Sequence, residues 1–218
     1  MKTSDNLVKR ILFCAVGMFF YASGVAFTKN CNMGISPIVS VAYVLSLLLP
    51  VSMGWCTTIV NFVFFGIQKA LLKDEYPLWM MGAQLLMSVI FSIYIDAAAV
   101  VWRFVQPSVY PLRLATFIFG CLVLAIGVVM VVTAHFVVLP AEGTVNALVK
   151  ATKMKFGNAK ILFDGSMVTT TLIISLAAFH SVKGIREGTL IAILLVGTFS
   201  KMIGPHIGKL AKSLGVIS

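Results

Sequence analysis

Charged residues are scarce in this chain. Only 11% of its 218 residues are Asp, Glu, Lys or Arg, whereas 60% belong to the hydrophobic set. A soluble domain carries about 25% charged residues, because it needs them to cover its water-facing surface. The shortage therefore excludes a soluble enzyme, a nucleic-acid-binding protein and a disordered protein. Together with a mean hydropathy of +1.02, it indicates an integral membrane protein.

Acidic residues are the scarcest charges. Only 7 Asp and Glu stand against 17 Lys and Arg, which gives a formal net charge of +10. The basic residues lie at the ends of apolar runs, where the positive-inside bias and anionic lipid headgroups account for them. Because no nucleic-acid-binding motif accompanies them, we expect the lipid bilayer as a partner and no nucleic acid.

Recognisable catalytic and metal-binding motifs are absent as well. The four cysteines, Cys14, Cys31, Cys56 and Cys121, include no CxxC pair and no Cys/His pair at metal-ligand spacing. The sequence also lacks a Ser/His/Asp arrangement, an HExxH motif and a glycine-rich phosphate loop. We therefore expect no disulfide framework, no metal, no cofactor and no enzymatic activity.

What the chain does contain is long apolar runs. A bilayer core about 30 Å thick requires roughly 20 apolar residues per spanning helix. The runs are 11–28, the uncharged stretch 30–68, 78–102, 114–141, 161–182 and the shorter 188–200. Lys2, Lys9 and Arg10 precede the first run, but no signal-peptide cleavage site follows it. We therefore expect this run to be a transmembrane helix whose N-terminus is cytoplasmic.

The order of these features is repeated within the chain. Val25 aligns with Val131, Pro37 with Gly143 and Gly82 with Gly188 at an offset of 106 residues, and Gly54 with Gly157 and Asn61 with Asp164 at 103. We predict a first repeat at 1–105 and a second at 106–218, each with a short second helix, at 37–50 and 143–154. The latter would extend only about 18 Å and carries two lysines, so it cannot cross the bilayer.

The orientation of the repeats depends on these short helices. If they do not span, each repeat has three crossings and the repeats are inverted; if they span, the repeats are parallel. Both arrangements place 12 Lys and Arg residues on the cytoplasmic face and 5 on the outer face, so this count does not distinguish them. Because the short helices are too short to span, we predict inverted repeats.

We predict an all-α polytopic membrane helix bundle. It has six spanning helices in two inverted repeats of three, plus two short non-spanning helices that are re-entrant or interfacial. The predicted location is the cell membrane, with both termini in the cytoplasm and the loop 106–108 outside.

Inverted repeats with interrupted helices are typical of secondary transporters, whose solute sites lie near the bilayer midplane. Short helices that begin at Ser36-Pro37 and Glu142-Gly143-Thr144 would direct N–H groups and the positive end of the helix dipole toward such a site. An ordinary loop followed by an interfacial helix is the alternative. The predicted substrate-binding residues are Ser36, Pro37, Ser40 and Asn61 in the first repeat and Glu142, Gly143, Thr144 and Asn146 in the second.

Three acids lie within or at the edge of apolar segments: Asp164, Glu142 and Asp96. An ionisable residue at membrane depth is costly and marks a functional candidate, so we predict a proton-coupling role for these three. The alternatives are an ion pair of Asp164 with Lys160 four residues earlier, a cap by Glu142 in the first turn of its helix, and a position of Asp96 close to the outer interface.

The sequence resembles the YczE/YitT-type bacterial membrane proteins from about Ile11 to Gly204. The resemblance rests on Gly17-Met18-Phe19-Phe20-Tyr21-Ala22-Ser23-Gly24, Gly34-Ile35-Ser36-Pro37, Gly54, Asn61, Ile95-Asp96, Gly143-Thr144, Asp164 and Gly188-Thr189. YitT-like members carry a soluble C-terminal domain, and this sequence extends only about fourteen residues past Gly204, which favours the YczE-like branch. The resemblance implies a multi-pass bacterial membrane protein but no substrate, because the family is uncharacterised.

We therefore expect a small secondary transporter or permease for a polar, anionic or zwitterionic small solute, coupled to protons. The alternative is a membrane-embedded accessory or regulatory subunit without transport activity. It would contact a partner membrane subunit or a second copy of itself through small residues such as Gly17 and Gly24. The transporter predicts a polar site between the repeats, whereas the accessory protein predicts a dry centre.

Overall fold

The computed structural model describes residues 2–73, 78–134, 136–154 and 156–217. Over these ranges the chain forms eight α-helices and no β-strand. They are α1 (Lys2–Asn30), α2 (Pro37–Leu48), α3 (Met53–Leu72), α4 (Leu78–Val101), α5 (Tyr110–Thr133), α6 (Pro140–Thr152), α7 (Phe156–Phe179) and α8 (Glu187–Ser213). Six are long and apolar enough to cross a membrane, whereas α2 and α6 have only 12 and 13 residues. The prediction of an all-α bundle with six candidate spans is confirmed.

The short helices are close to their predicted positions, but α6 begins earlier. The predicted ranges 37–50 and 143–154 become Pro37–Leu48 and Pro140–Thr152. Both helices start at a proline, because proline has no N–H to satisfy and its fixed φ suits the first helical position. Gly143, predicted as the start of α6, is the fourth residue of that helix.

Two long helices also end at residues other than the last residues of their apolar runs. α5 ends at Thr133 and not at 141, since Leu139 is extended before Pro140, and the residue before a proline disfavours helix. α8 continues beyond 200 to Ser213, because Lys201, which ends the apolar run, is a good helix former. Residues 74–77 lie outside the described residues, and so do both terminal residues, whose cytoplasmic location was predicted.

Close packing of α1 on α5 dominates the first of two compact units, Met1–Ile35, Ala97–Val137 and Glu187–Ser218. Four glycines allow the two helices to approach closely. A Cβ added to Gly17 would lie 2.8 Å from Met130 Cβ, and one added to Gly24 would lie 2.5 Å from Leu124 Cβ. A Cβ added to Gly120 would lie 2.9 Å from Phe27 Cβ, and one added to Gly127 would lie 2.5 Å from Tyr21 Cα. Later residues of α1 meet earlier residues of α5, so the helices are antiparallel. The expectation that Gly17 and Gly24 form an outer face for a partner helix is wrong, because α5 already covers both.

The contact between α1 and α5 has the same form seen from either helix. Residues 103 positions apart in the sequence occupy equivalent places in this contact: Gly17 and Gly120, Gly24 and Gly127, Tyr21 and Leu124, and Phe27 and Met130. Exchanging the two helices therefore exchanges the Gly24–Leu124 contact with the Gly127–Tyr21 contact. Such reciprocity is the property of a two-fold, isologous interface.

α8 completes the first unit by packing on α5. A buried apolar cluster, Cys31, Met33, Phe117, Cys121 and Ala192, joins these helices to the turn that follows α1. The N–H of Gly188 donates to Met33 O at 2.8 Å. The turn after α1 is thereby held against the start of α8.

The second unit comprises Ser36–Asp96 and Val138–Arg186, and so contains α2, α3, α6, α7 and most of α4. α2 and α6 each pack against both α3 and α7. Their common centre is a cluster of buried apolar side chains: Val41, Ala42, Cys56, Val60, Phe64, Ala141, Val145, Ala159 and Phe163. The point where the short helices meet the long ones is therefore apolar, and polar groups lie beside it.

The offset of 103 residues recurs in this second unit. It separates Pro37 from Pro140, the first residues of α2 and α6, and Met53 from Phe156, the first residues of α3 and α7. By position in its helix, Pro37 therefore corresponds to Pro140 and not, as the sequence alignment predicted, to Gly143.

Candidate functional site

The structure places every predicted site residue in the second unit. Ser36, Pro37, Ser40, Asn61, Asp96, Glu142, Gly143, Thr144, Asn146 and Asp164 all lie within Ser36–Asp96 or Val138–Arg186. They do not form one cluster: they divide among the starts of α2 and α6, the contact of α3 with α4, and equivalent positions in α3 and α7.

Ser36, Pro37 and Ser40 form the start of α2. Ser36 is the N-cap residue, but its side chain makes no capping hydrogen bond. The Ser40 hydroxyl is fully buried, donates to Pro37 O at 2.7 Å and lies 2.7 Å from Thr171 Oγ1. Ser40 therefore joins the first turn of the short helix to α7.

The start of α6 does not present Gly143 as a free helix terminus. The Gly143 N–H already donates to Leu139 O at 2.8 Å, and Thr144 Oγ1 donates to Pro140 O at 2.8 Å. Glu142 lies in the first turn, where a carboxylate is favoured by the helix dipole, and its Oε2 atom is buried. Asn146 lies one turn after Glu142 on the same face of this helix, and it is exposed.

Two glutamines that the sequence analysis did not select meet at Gly143. Gln68 and Gln84 are only 1% and 3% exposed, and a Cβ on Gly143 would lie 2.7 Å from Gln68 Oε1 and 2.9 Å from Gln84 Nε2. Gln68 Nε2 also donates to Pro140 O at 3.1 Å. Glycine at this position thus admits two primary amides to the first turns of α6. An uncharged amide in an apolar run was the available signal, but it does not reveal which helix the amide faces.

The Gln68–Gly143 contact has a counterpart on the other short helix. Residues 103 positions away are Thr171 and Ser40, which meet at the start of α2. The same two positions therefore join each short helix to a long one. They carry two hydroxyls in one case and an amide facing a glycine in the other, so the second pair replaces two hydroxyls by one primary amide.

Asp96 holds the start of α3. The Ser52 hydroxyl donates to Asp96 Oδ2 at 2.5 Å, and the Gly54 N–H donates to Oδ1 at 2.9 Å. A carboxylate here satisfies N–H groups that a helix start leaves without internal partners. Gly54 has no side chain because a Cβ would lie 2.6 Å from Asp96 Oδ2. The structure thus assigns Asp96 a capping contact at the edge of the membrane span.

Polar residues on α4 follow one another at every fourth position: Gln84, Ser88, Ser92 and Asp96. This spacing places them on one face of a helix, over about 18 Å of its length. The face is turned toward α3, where Thr58 Oγ1 lies 2.5 Å from Ser92 Oγ. Gln84, Ser88 and Ser92 are buried. We call these four residues, with Thr58 and Gln68 of α3, the polar seam.

Most hydroxyls of the polar seam also bond within their own helix. Ser88 and Ser92 each donate to the carbonyl four residues earlier, at 2.8 Å. Such bonds satisfy a hydroxyl without a ligand. The groups at the two ends of the seam, the amides at Gly143 and the Asp96 carboxylate, are those with capacity for chemistry beyond the helix.

Asn61 and Asp164 are the ninth residues of α3 and α7 and are both buried. Asp164 Oδ1 lies 2.5 Å from Lys160 Nζ on the same helix, so the geometry is that of the ion pair. Their neighbours Val60 and Phe163 belong to the apolar cluster. Each polar side chain therefore borders that cluster.

No group of three or more His, Cys, Asp or Glu side chains that could hold a metal ion occurs in the described ranges. The predicted site residues and the two glutamines offer amides and hydroxyls for hydrogen bonding and carboxylates that can carry a proton.

A family model described as "Family of unknown function (DUF6198)" matches residues 8–205, and the chain belongs to this family. The match gives no support to the YczE/YitT name in particular and assigns no activity. No curated protein and no solved structure matches the chain.

Proposed function

We propose that this member of the DUF6198 family is a small proton-coupled secondary transporter of the cell membrane, for a polar solute that is anionic or zwitterionic. The observation that carries the proposal is the polar seam. Polar side chains within membrane spans are costly and are retained chiefly where they contact a solute, an ion or another helix. Here they extend along most of one helix and end beside the start of α6.

The two ends of the seam have different parts in this mechanism. Gln68 and Gln84 supply amide donors and acceptors at Gly143, and these hydrogen-bond the solute. Asp96 forms one end of the seam, and Glu142 precedes Gly143 at the other end. These two carboxylates exchange the coupling proton. Asp164 remains a third proton candidate, and its pairing with Lys160 makes it the one most readily tested.

The recurrence of the 103-residue offset supports an inverted-repeat architecture. It relates α1 to α5 in the first unit, and α2 with α3 to α6 with α7 in the second. The antiparallel α1–α5 contact agrees with three crossings per repeat. Secondary transporters are commonly built from such repeats, with interrupted helices at the solute site.

Cysteine labelling tests the orientation. A Ser108→Cys variant in intact spheroplasts is expected to react with a membrane-impermeant maleimide, since the inverted arrangement places 106–108 outside. Reaction only after permeabilisation would instead support parallel repeats. The buried native cysteines give the background, which the parent protein measures.

Transport is tested in proteoliposomes that contain a pH-sensitive dye. A panel of monocarboxylates, dicarboxylates, inorganic phosphate and amino acids is added outside, and at least one class is expected to change the lumenal pH. Gln68→Leu and Gln84→Leu should abolish that change, because each removes an amide at Gly143. The exposed Thr169 bonds only to its own helix, so Thr169→Val is the matched control. Wild-type flux in both folded glutamine variants would refute the assignment of the site.

A further inference from the structure

A second polar site lies in the first unit, at the end of α1 and the beginning of α5. It is a cavity of about 340 Å³ lined mainly by polar groups, among them Asn30, Asn32, Gln106, Ser108 and Arg113. Small-molecule sites in proteins have volumes of about 300–1,000 Å³. None of the described residues that line this cavity is acidic, so Arg113 gives it a net positive charge. The proposed transport mechanism uses none of these residues.

Arg113 is held in place while its outer nitrogens stay available. Its Nε donates to Pro107 O at 3.0 Å, which orients the guanidinium plane. Within the described part of the chain, the two terminal nitrogens make no hydrogen bond and no ion pair. A guanidinium presents paired N–H groups in a plane, a geometry that matches the oxygens of phosphate and carboxylate.

The position of Arg113 has no evident role in stabilising α5. It lies in the first turn of that helix, where no acidic residue is present. A cation at this end of a helix is disfavoured by the helix dipole. A bound anion would remove this disadvantage and would pair with the guanidinium.

The opposite wall of the cavity is fixed by hydrogen bonds. Cys31 N donates to Phe27 O and Asn32 N to Lys29 O, both at 3.2 Å, so these C-terminal carbonyls of α1 already have partners. Asn30 Nδ2 donates to Trp102 O at 2.8 Å, which attaches the end of α1 to the segment after α4. The walls are therefore preorganised, and binding needs little rearrangement.

The charge of Arg113 acts on this wall as well. Burial raises the pKa of the Cys31 thiol to about 11, and the Arg113 guanidinium acts in the opposite direction. Cys31 and Arg113 both line the cavity, and the guanidinium favours the thiolate form of Cys31.

We propose that this cavity binds an oxoanion, a phosphate or carboxylate group, through the Arg113 guanidinium with Ser108 as an additional donor. A soluble anion and the phosphate of an anionic lipid share this chemistry. The experiment distinguishes the two sources, and it is independent of whether the polar seam transports a solute.

The full-length protein in a zwitterionic detergent is titrated with inorganic phosphate at constant ionic strength, and binding is followed by isothermal calorimetry. In a second arm, nanodiscs of phosphatidylcholine with and without phosphatidylglycerol are compared by native mass spectrometry for retained lipid. Arg113→Gln is expected to weaken binding at least tenfold, because a charged hydrogen bond contributes about 1.5–3 kcal/mol. Arg103→Gln is the matched control, since Arg103 is exposed nearby and does not line the cavity.

Each outcome decides the matter. Arg113-dependent binding of phosphate identifies a soluble anion, and Arg113-dependent retention of phosphatidylglycerol alone identifies a lipid headgroup. The proposal is overturned if neither ligand binds, or if Arg103→Gln weakens binding as much as Arg113→Gln does. Should Arg113→Gln fail to fold, Arg113→Lys and Ser108→Ala replace it, and both must then weaken binding severalfold.

Discussion

The ion pair of Lys160 with Asp164 permits a sharp test of the proton-coupling hypothesis. Lys160 Nζ and Asp164 Oδ1 are 2.5 Å apart, with the lysine side chain 31% exposed and the aspartate side chain 9% exposed. Exposed pairs contribute about 0.2–1 kcal/mol, whereas breaking a fully buried pair costs about 3–5 kcal/mol. Because one partner is buried and the other is partly solvated, we expect Asp164→Asn to lower the free energy of unfolding by about 1–3 kcal/mol.

The measurement is a double-mutant cycle of Asp164→Asn, Lys160→Gln and the double variant, followed by thermal unfolding in detergent. If the pair is structural, the double variant should recover about 1–2 kcal/mol relative to the sum of the single changes. Its transport should also stay intact. Additive effects within about 0.5 kcal/mol would refute the structural pair, and loss of proton-driven flux with stability retained would make Asp164 a proton carrier.

Asn61→Asp supplies a matched comparison for this cycle. Asn61 occupies the equivalent position in α3, but the residue four positions earlier is Thr57 and not a lysine. A buried carboxylate without a cation is costly and becomes protonated instead. The variant should therefore be less stable than the parent at neutral pH and should recover as the pH is lowered. A pH-independent stability would argue that this position is solvated.

Three further predictions concern packing and protonation. Gly54→Ala should lower the free energy of unfolding by about 1–3 kcal/mol in thermal unfolding, because its Cβ would lie 2.6 Å from Asp96 Oδ2. An unchanged free energy of unfolding would mean that α3 and α4 pack less closely at this point. Gly127→Ala should do the same through the α1–α5 contact, whereas Gly66→Ala, whose Cβ meets nothing within 4 Å, should stabilise by up to about 1 kcal/mol. With Cys31 as the sole cysteine, alkylation by iodoacetamide at pH 8 should be slow in the folded protein and fast after denaturation, because the side chain is fully buried, burial raises the thiol pKa to about 11 and only the thiolate reacts; equal rates in the two states would contradict this burial.

Residue patterns predicted the helical starts unevenly. Proline favours the first position of a helix, and on that ground the sequence predicts Pro37 as the first residue of α2. The same rule applied to Pro140 would have placed the start of α6 correctly, but the glycine three residues later was given that role. Gly143 is a glycine because two glutamine amides approach it in the tertiary structure. It carries no information about where the helix begins.

The candidate site was predicted by residue type but not by partner. Asp96 and Asp164 are predicted because ionisable groups at membrane depth are costly, and Ser40 because it lies near the start of a short helix. The structure gives each a specific contact: a helix start, a lysine and a threonine. Gln68 and Gln84 were passed over, since an uncharged amide is a weaker signal than a carboxylate. Their importance depends on meeting each other at α6.

Membrane class, the number of candidate spans and the two helices too short to span follow from the sequence by itself, because bilayer thickness imposes a length and a polarity on each element. Which helices meet was decided by the tertiary structure alone. Gly17 and Gly24 could serve an outer partner or an inner one, and only the position of α5 shows that they pack inside the chain. The contact of Gln68 with Pro140 joins residues 72 positions apart. No local periodicity encodes such a pairing, because most helix faces in a bilayer are apolar and the choice among them rests on close packing and on buried hydrogen bonds.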